Sequence, residues 1–455
     1  MDSIKYYSTN HHTEPVSFRD ALLKGLAPDR GLFIPSSIPS LTAEDLSSFK
    51  NMNYGEMAFH VAHKFLHEEI EAEELKQITH SAYNFPVPLE RVFDRSYVLR
   101  LDQGPTASFK DFAARMMGRL MQHFLKKENR KILILTATSG DTGSAIANAF
   151  YGLDNIEVVI LYPEKEVTDR QRKQMTTLEK NITTVAIDGK FDDCQAMVKK
   201  AFNDEELTPL NLSSANSINI GRLIPQSFYY IYTYVQLSEG NHDQIIFSVP
   251  SGNFGNLMGG LLAKKMGLPV EQFIVATNEN DEVPVYFDTH EYETIVPSRN
   301  CISSAMNVGH PSNMARIIEL YKGRMNEQGE ILEEPDLAAL HKDMYAISIS
   351  DEETREMIKK AWKEHKLLLE PHGSVSWYAL EKYRKANPQF DQANQLFASL
   401  ETAHPAKFPR EINKLLGFDP ELPPSLEGLD EKKEFIHPLK NDYTAFKQFL
   451  NNHYR

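Results

Sequence analysis

Apolar positions gather along this chain in short, β-rich runs that end in small-residue turns and give way to helical spacing. Residues 132–137, 158–162, 182–187, 245–249 and 273–277 read as strands with helices between them, and that alternation predicts parallel α/β layers. Residues 1 to about 95 carry mainly helical spacing instead. That stretch closes at Phe85-Pro86-Val87-Pro88-Leu89, where paired prolines disfavour helix and mark a junction. Near the other end, Asp419-Pro420-Glu421-Leu422-Pro423-Pro424 cannot sustain regular structure and reads as an extended surface connector. After it, Tyr443, Phe446, Phe449 and Leu450 recur at helical spacing and predict a helix that docks back on the body.

Two of the strand-turn-helix units carry more than a fold needs. Val249-Pro250-Ser251-Gly252-Asn253-Phe254-Gly255-Asn256 runs from a strand into a helix spanning about 257–266. Such a turn aims several backbone N–H groups at one point, where the helix dipole favours an anion. Gly252 and Gly255 permit positive φ and close backbone approach, while Asn253 and Asn256 offer side-chain donors. The segment has neither the Gly-Lys-Ser/Thr ending of a nucleotide P-loop nor the Gly-x-Gly-x-x-Gly dinucleotide fingerprint. Thr138-Ser139-Gly140-Asp141-Thr142-Gly143 repeats the geometry before an alanine-rich helix, with the Ser139 and Thr142 hydroxyls added. A third segment, Gly104-Pro105-Thr106-Ala107-Ser108-Phe109-Lys110, places Ser108 as helix N-cap and Lys110 in the first turn of a helix reaching about Phe124. The partial positive charge there disfavours an ammonium and poises the amine as a nucleophile.

Together these segments resemble the fold-type II pyridoxal-phosphate enzymes, and most closely the threonine synthase family. Residues 107–112 are similar to the family's cofactor-lysine segment, Thr138 to Gly143 to its substrate-carboxylate loop, and Ser251 to Asn256 to its cofactor-phosphate loop. Asn216-Ser217-Ile218-Asn219-Ile220-Gly221-Arg222-Leu223, Glu370-Pro371-His372-Gly373 and Thr402-Ala403-His404-Pro405-Ala406-Lys407-Phe408 narrow the match. Residues 25–35 are similar to the opening of the longer, fungal and enterobacterial branch, so no S-adenosylmethionine-binding extension is expected. The resemblance spans about residues 5 to 415.

It implies an α/β fold: two open, twisted parallel-sheet lobes, tryptophan synthase β-like, behind a helical N-terminal domain. The implied domains are 1–95, a large cofactor-binding domain of 96–125 and 225–455, and a small lobe of 126–224 carrying the carboxylate loop. It implies pyridoxal 5'-phosphate held by Lys110, with Gly252, Asn253, Phe254, Gly255 and Asn256 around its phosphate. Asp141 would lie near the ring's phenolic oxygen and Thr402 at the pyridine nitrogen. Relatives often carry Asn at the Asp141 position, and a carboxylate there requires a shared proton. The implied reaction is γ-elimination of phosphate from O-phospho-L-homoserine and β-addition of water, giving L-threonine. Ser139 and Thr142 would bind the substrate carboxylate and Arg115, Asn219 and Arg222 its phosphate, with Lys407 and His404 the nearest competitors.

Composition bounds these expectations. A chain of 455 residues exceeds one core, so two or three packed units are expected. A net charge of −14 argues against nucleic-acid or anionic-membrane partners and means an anionic substrate must be drawn in by local cations. Cys194 and Cys301 are far apart, lack metal spacing and read as buried hydrophobes in a reducing compartment. Met1-Asp2-Ser3-Ile4-Lys5 has no apolar signal core, and no apolar run reaches membrane-spanning length, so a cytoplasmic protein is expected. Monomer and homodimer are both open. His60, His63 and His67 share a helical face but lack a fourth ligand, so no metal is expected. His372 reads as a turn or capping residue rather than an acid or base. The rivals are a serine or threonine dehydratase on the same cofactor, and a catalytically silent relative binding a phosphorylated metabolite or a partner protein.

Overall fold

The computed structural model describes residues 4–240, 243–390 and 394–455. Residues 1–3, most of the opening stretch read for a signal, lie outside them. Two sheets organise the chain. The larger has six strands in the order Met344–Ser348, Val270–Thr277, Ile245–Pro250, Leu396–Glu401, Ser96–Arg100, Leu89–Phe93, parallel except for the last. The smaller has five parallel strands in the order His437–Lys440, Ile182–Asp188, Ile156–Pro163, Ile132–Ala137, Leu212–Ser213. The central strands Ile132–Ala137 and Ile245–Pro250 are buried at every position, because helices cover both faces of each sheet. All five strands expected from the pattern are present, with ends that shift by a few residues.

The N-terminal unit is mainly helical. Its helix Tyr54–Leu66 starts with a capping box, in which Asn53 and Glu56 exchange side-chain and backbone hydrogen bonds. Met57, Ala58, Val61, Ala62 and Phe65 fall on one face of it and are buried. Phe59, His60, His63 and His67 instead form a ladder of ring contacts along this helix.

Two boundaries differ from those expected. Leu89–Phe93 lies inside the stretch assigned to the N-terminal unit, yet it pairs antiparallel with Ser96–Arg100 and so belongs to the large sheet. The C-terminal end, assigned to the large domain, returns to the small one. His437–Lys440 adds a strand beside Ile182–Asp188, and Phe446 and Leu450 of helix Tyr443–Tyr454 pack with Leu133, Leu135, Val159 and Leu161. The helix does dock back, as its spacing predicts; its apolar stripe is matched to the small sheet. Cys194 and Cys301 are both buried, and burial pushes their thiols up to about 12 and about 11. No helix among the described residues is long and apolar enough to cross a membrane.

Parallel topology fixes where chemistry can gather. Thr138, Ser251 and Thr402 each directly follow the carboxyl end of a strand, and all three line one cavity.

Candidate active site

The cavity has a volume of about 850 Å³ and is walled by residues of both sheets' carboxyl ends. Lys110 enters it as the first residue of helix Lys110–Glu128. The turn before it is tightly braced. Asp111 is buried and accepts from the Thr106 amide at 2.8 Å and the Thr106 hydroxyl at 2.7 Å. Ala107 sits at φ 52°, Phe109 N donates to Thr402 O at 2.9 Å, and His404 N donates to Ala107 O at 3.0 Å. Ser108, expected as the N-cap, stands one position ahead of the cap, which is Phe109, though its hydroxyl still accepts the Lys110 amide at 3.3 Å. Burial is the main reason the Lys110 amine falls to about 8. Asp141 and Glu370 oppose that shift, while the neighbouring Lys407 and Arg222 charges reinforce it.

In the second loop, the Thr138 hydroxyl accepts the amides of Gly140 at 3.0 Å and Gly143 at 2.8 Å, which curls the chain into the helix Asp141–Phe150. Gly140 has φ 141° and its Cβ position lies 2.6 Å from Gln171, so only glycine fits there. Ser139 and Thr142 are half-buried on the cavity wall beside the orphan amides of that helix start. Asp141 accepts from Gln171 Nε2 at 2.9 Å and pairs with Lys407 Nζ at 2.6 Å. Burial alone would raise its carboxyl, but Lys407, Lys110 and Gln171 together hold it well below the ordinary carboxylate range.

The third loop departs from its expected workings. Gly252 and Gly255 do not take positive φ; Phe254 does, at 59°. Gly252 serves close approach instead, because a Cβ there would stand 2.8 Å from Met306 Cα and 2.9 Å from Ala305 O. The Asn253 amide, expected to face an anion, is spent on the scaffold. Its Nδ2 donates to Ser217 Oγ at 2.5 Å and its Oδ1 accepts from Ser312 N at 2.6 Å. Asn256 is the donor that is left. Its Oδ1 accepts the hydroxyls of Tyr229 at 2.6 Å and Tyr230 at 2.7 Å, and its buried Nδ2 has no partner among the described residues. Beside it begins helix Gly255–Lys265, with its own unpaired amides.

These residues fit pyridoxal phosphate. An amine of lowered proton affinity, an orphaned buried amide donor beside a helix start, and a loop that a single Cβ would fill are what its aldehyde and phosphate require.

Of the cations assigned to a substrate phosphate, only Arg222 lines the cavity. It is buried and gives Nη1 to Ala215 O at 2.8 Å, and its Nε has no partner among the described residues. Burial lowers its guanidinium to about 10. Arg115 faces away and bonds Ala82 O at 2.7 Å, Ser81 O at 3.0 Å and Asn84 Oδ1 at 2.9 Å. Asn219 is the N-cap of helix Ile220–Leu237, and its Nδ2 is taken by the carbonyls of Leu22 and Ser214. Of the competitors, His404 caps the turn Pro405–Lys407 and Lys407 is consumed by Asp141. Three features lie beyond what the motifs announce: the Asp141–Lys407 pair, the Tyr229–Tyr230 clamp on Asn256, and a chain from Glu370 through His372 to Ala305. In that chain His372 Nδ1 meets Glu370 Oε2 at 2.5 Å and Nε2 accepts Ala305 N at 3.0 Å.

Three family models match the chain. "Threonine synthase N terminus" covers residues 5–83, "Pyridoxal-phosphate dependent enzyme" residues 84–394, and "Threonine synthase, C-terminal" residues 375–450. The threonine synthase of Escherichia coli is 39% identical over 453 residues, covering 99% of this chain and 100% of that protein. Among solved structures, PLP-bound threonine synthase from Brucella melitensis superposes with a TM-score of 0.92 at 34% identity, covering 100% of both chains. Threonine synthase from yeast superposes with 0.89 at 31% identity, covering 98% of both. From end to end, this chain belongs to the threonine synthase family.

Proposed function

We propose that this chain converts O-phospho-L-homoserine and water to L-threonine and inorganic phosphate, using pyridoxal 5'-phosphate. The observation that carries this reading is the Lys110 amine, lowered by burial and set between two anion-binding loops that converge on one cavity. The cofactor, when bound, supplies an aldehyde and an electron-withdrawing ring conjugated to the substrate Cα.

The chain's own residues do the rest. Lys110 would hold the cofactor, and its amine would move the proton at the substrate Cα. Asn256 Nδ2 and the amides from Gly252 to Asn256 hold the cofactor phosphate, with Asn253 and Phe254 shaping the loop. Thr402 offers the pyridine nitrogen a neutral hydroxyl, which favours elimination and replacement over transamination. Asp141 would lie near the ring oxygen, its charge matched by Lys407. Ser139, Thr142 and the first amides of helix Asp141–Phe150 bind the substrate carboxylate. Arg222 binds the substrate phosphate, since a buried guanidinium without a carboxylate partner among the described residues favours a dianion. Phosphate leaves from Cγ and water adds at Cβ. The enzyme acts in the cytoplasm, as a monomer or homodimer, which sedimentation distinguishes.

The test is the purified chain loaded with pyridoxal phosphate and given O-phospho-L-homoserine. It should release phosphate and threonine in equal amounts, and Lys110→Ala should release neither. Pyruvate or 2-oxobutyrate from serine or threonine as the main product, without phosphate release, would replace this reading with the dehydratase one.

A further inference from the structure

We propose that Lys407 is a positioning residue for Lys110: by occupying Asp141, it keeps that carboxylate from capturing the Lys110 amine. The proposal rests on the reading of Lys110 as the cofactor lysine and adds a second lysine to its chemistry. Asp141 and Lys407 meet at 2.6 Å with side chains only 2% and 0% exposed, so both charges are largely desolvated. Lys407 Nζ also donates to Thr106 O at 2.9 Å, in the turn that presents Lys110. Gln171 holds Asp141 from the far side at 2.9 Å. One ammonium thus joins the Lys110 turn of the large domain to the helix start of the small lobe.

Among the described residues, four charged groups bear on the Lys110 amine: Asp141 from helix Asp141–Phe150, Lys407 from the turn Pro405–Lys407, Arg222 from helix Ile220–Leu237, and Glu370 from the cap of helix Pro371–Ala386. Asp141 is the larger of the two anionic influences, and Lys407 the larger of the two cationic ones. A desolvated carboxylate does not stay unpaired. Without Lys407, Lys110 becomes the cation left for Asp141, and an ammonium held in such a pair is a poor nucleophile. The arrangement therefore spends one lysine to leave the other free.

The test follows how fast the full-length, cofactor-free chain takes up pyridoxal phosphate across pH, with borohydride tagging to confirm attachment at Lys110. In the native chain the rate should rise with a midpoint near 8. Lys407→Met should move that midpoint up by about 1–3 units, the effect of an opposite charge at close range. Lys407→Arg, which keeps the charge, should restore it. A Lys407→Met chain that binds more slowly at every pH with an unmoved midpoint has lost only packing, and overturns the proposal. Should Lys407→Met fail to fold, Lys407→Met with Asp141→Asn removes both charges. A midpoint at or below the native one then supports the proposal, and one above it overturns it. A native chain that is never tagged refutes the reading of Lys110 instead.

Discussion

The imidazole of His372 accepts the backbone amide of Ala305 at 3.0 Å, and this bond fixes which of its nitrogens carries the proton. An acceptor nitrogen must be bare, so the hydrogen sits on Nδ1, facing Glu370 Oε2 at 2.5 Å. Glu370 is anchored in turn as the N-cap of helix Pro371–Ala386, where it accepts the amides of His372 and Gly373. The residue after Ala305 is Met306, whose backbone lies against Gly252. A capped helix thus braces the segment that supports the loop proposed to hold the cofactor phosphate.

Replacing His372 with Phe keeps a ring and removes the acceptor. The Ala305 amide is then unpaired, at a cost of about 1–3 kcal/mol. We expect a lower melting temperature and cofactor affinity weakened about tenfold or more, read by fluorescence titration with pyridoxal phosphate. An unchanged dissociation constant would mean that the brace does not reach the loop.

Gly252→Ala tests the same contact from the other side. Its Cβ would meet Met306 Cα and Ala305 O at 2.8 and 2.9 Å, and backbone atoms cannot swing aside as a side-chain end does. Overpacking of this kind costs about 1–3 kcal/mol. It should fall on cofactor binding, measured by equilibrium dialysis, with the far-ultraviolet circular dichroism unchanged. Native affinity in this variant would show that the loop has slack.

The contrast between these loops and the cations explains what the sequence makes legible. Strands at 132–137 and 245–249, their small-residue turns and Lys110 at a helix start are local signals, each written within about a dozen residues. Arg115 follows Lys110 by five positions, which at about 100° per residue turns it roughly 140° away from that face. Asn219 precedes an apolar helix, where Asn is foremost a cap. Both are therefore traceable in the sequence once helix geometry is weighed above charge. The partnership of Lys407 with Asp141 is not, because nothing near either residue names the other. The return of helix Tyr443–Tyr454 to the small lobe is equally silent: an apolar stripe announces burial without naming the sheet that provides it.

Asn256 offers a cleaner separation of stability from binding. Asn256→Leu removes the short acceptor shared by the buried Tyr229 and Tyr230 hydroxyls, leaving them only Gln226 Oε1 at 3.4 Å and the residue-256 backbone carbonyl at 3.1 Å, and should destabilise the fold by about 1–3 kcal/mol. Asn256→Asp keeps the acceptor but puts a carboxylate where Nδ2 stood. That variant should melt near the native temperature and bind pyridoxal phosphate at least about 100-fold more weakly, through repulsion of the phosphate. Tight binding by Asn256→Asp would place the phosphate elsewhere.

Glu282 governs a pH dependence remote from the chemistry. It is buried at the start of helix Glu282–Thr289, and its Oε2 has no partner among the described residues. Burial pushes the carboxyl up from 4.5 to about 7; the adjacent Asp281 adds to this, while its own backbone amide and Arg299 oppose it. An acid whose proton is held more tightly in the folded state stabilises the fold fully below the unfolded value. That stabilisation is lost as pH rises through the folded one. The native chain should therefore lose about 3 kcal/mol between roughly pH 4.5 and 7 from this group alone. Glu282→Gln stays neutral throughout. Urea midpoints of the two chains should coincide near pH 4.5, diverge in favour of Glu282→Gln up to pH 7, and run parallel above it. Equal midpoints at pH 8 would show that the native carboxylate finds compensation on ionising, with Arg299 the nearest source.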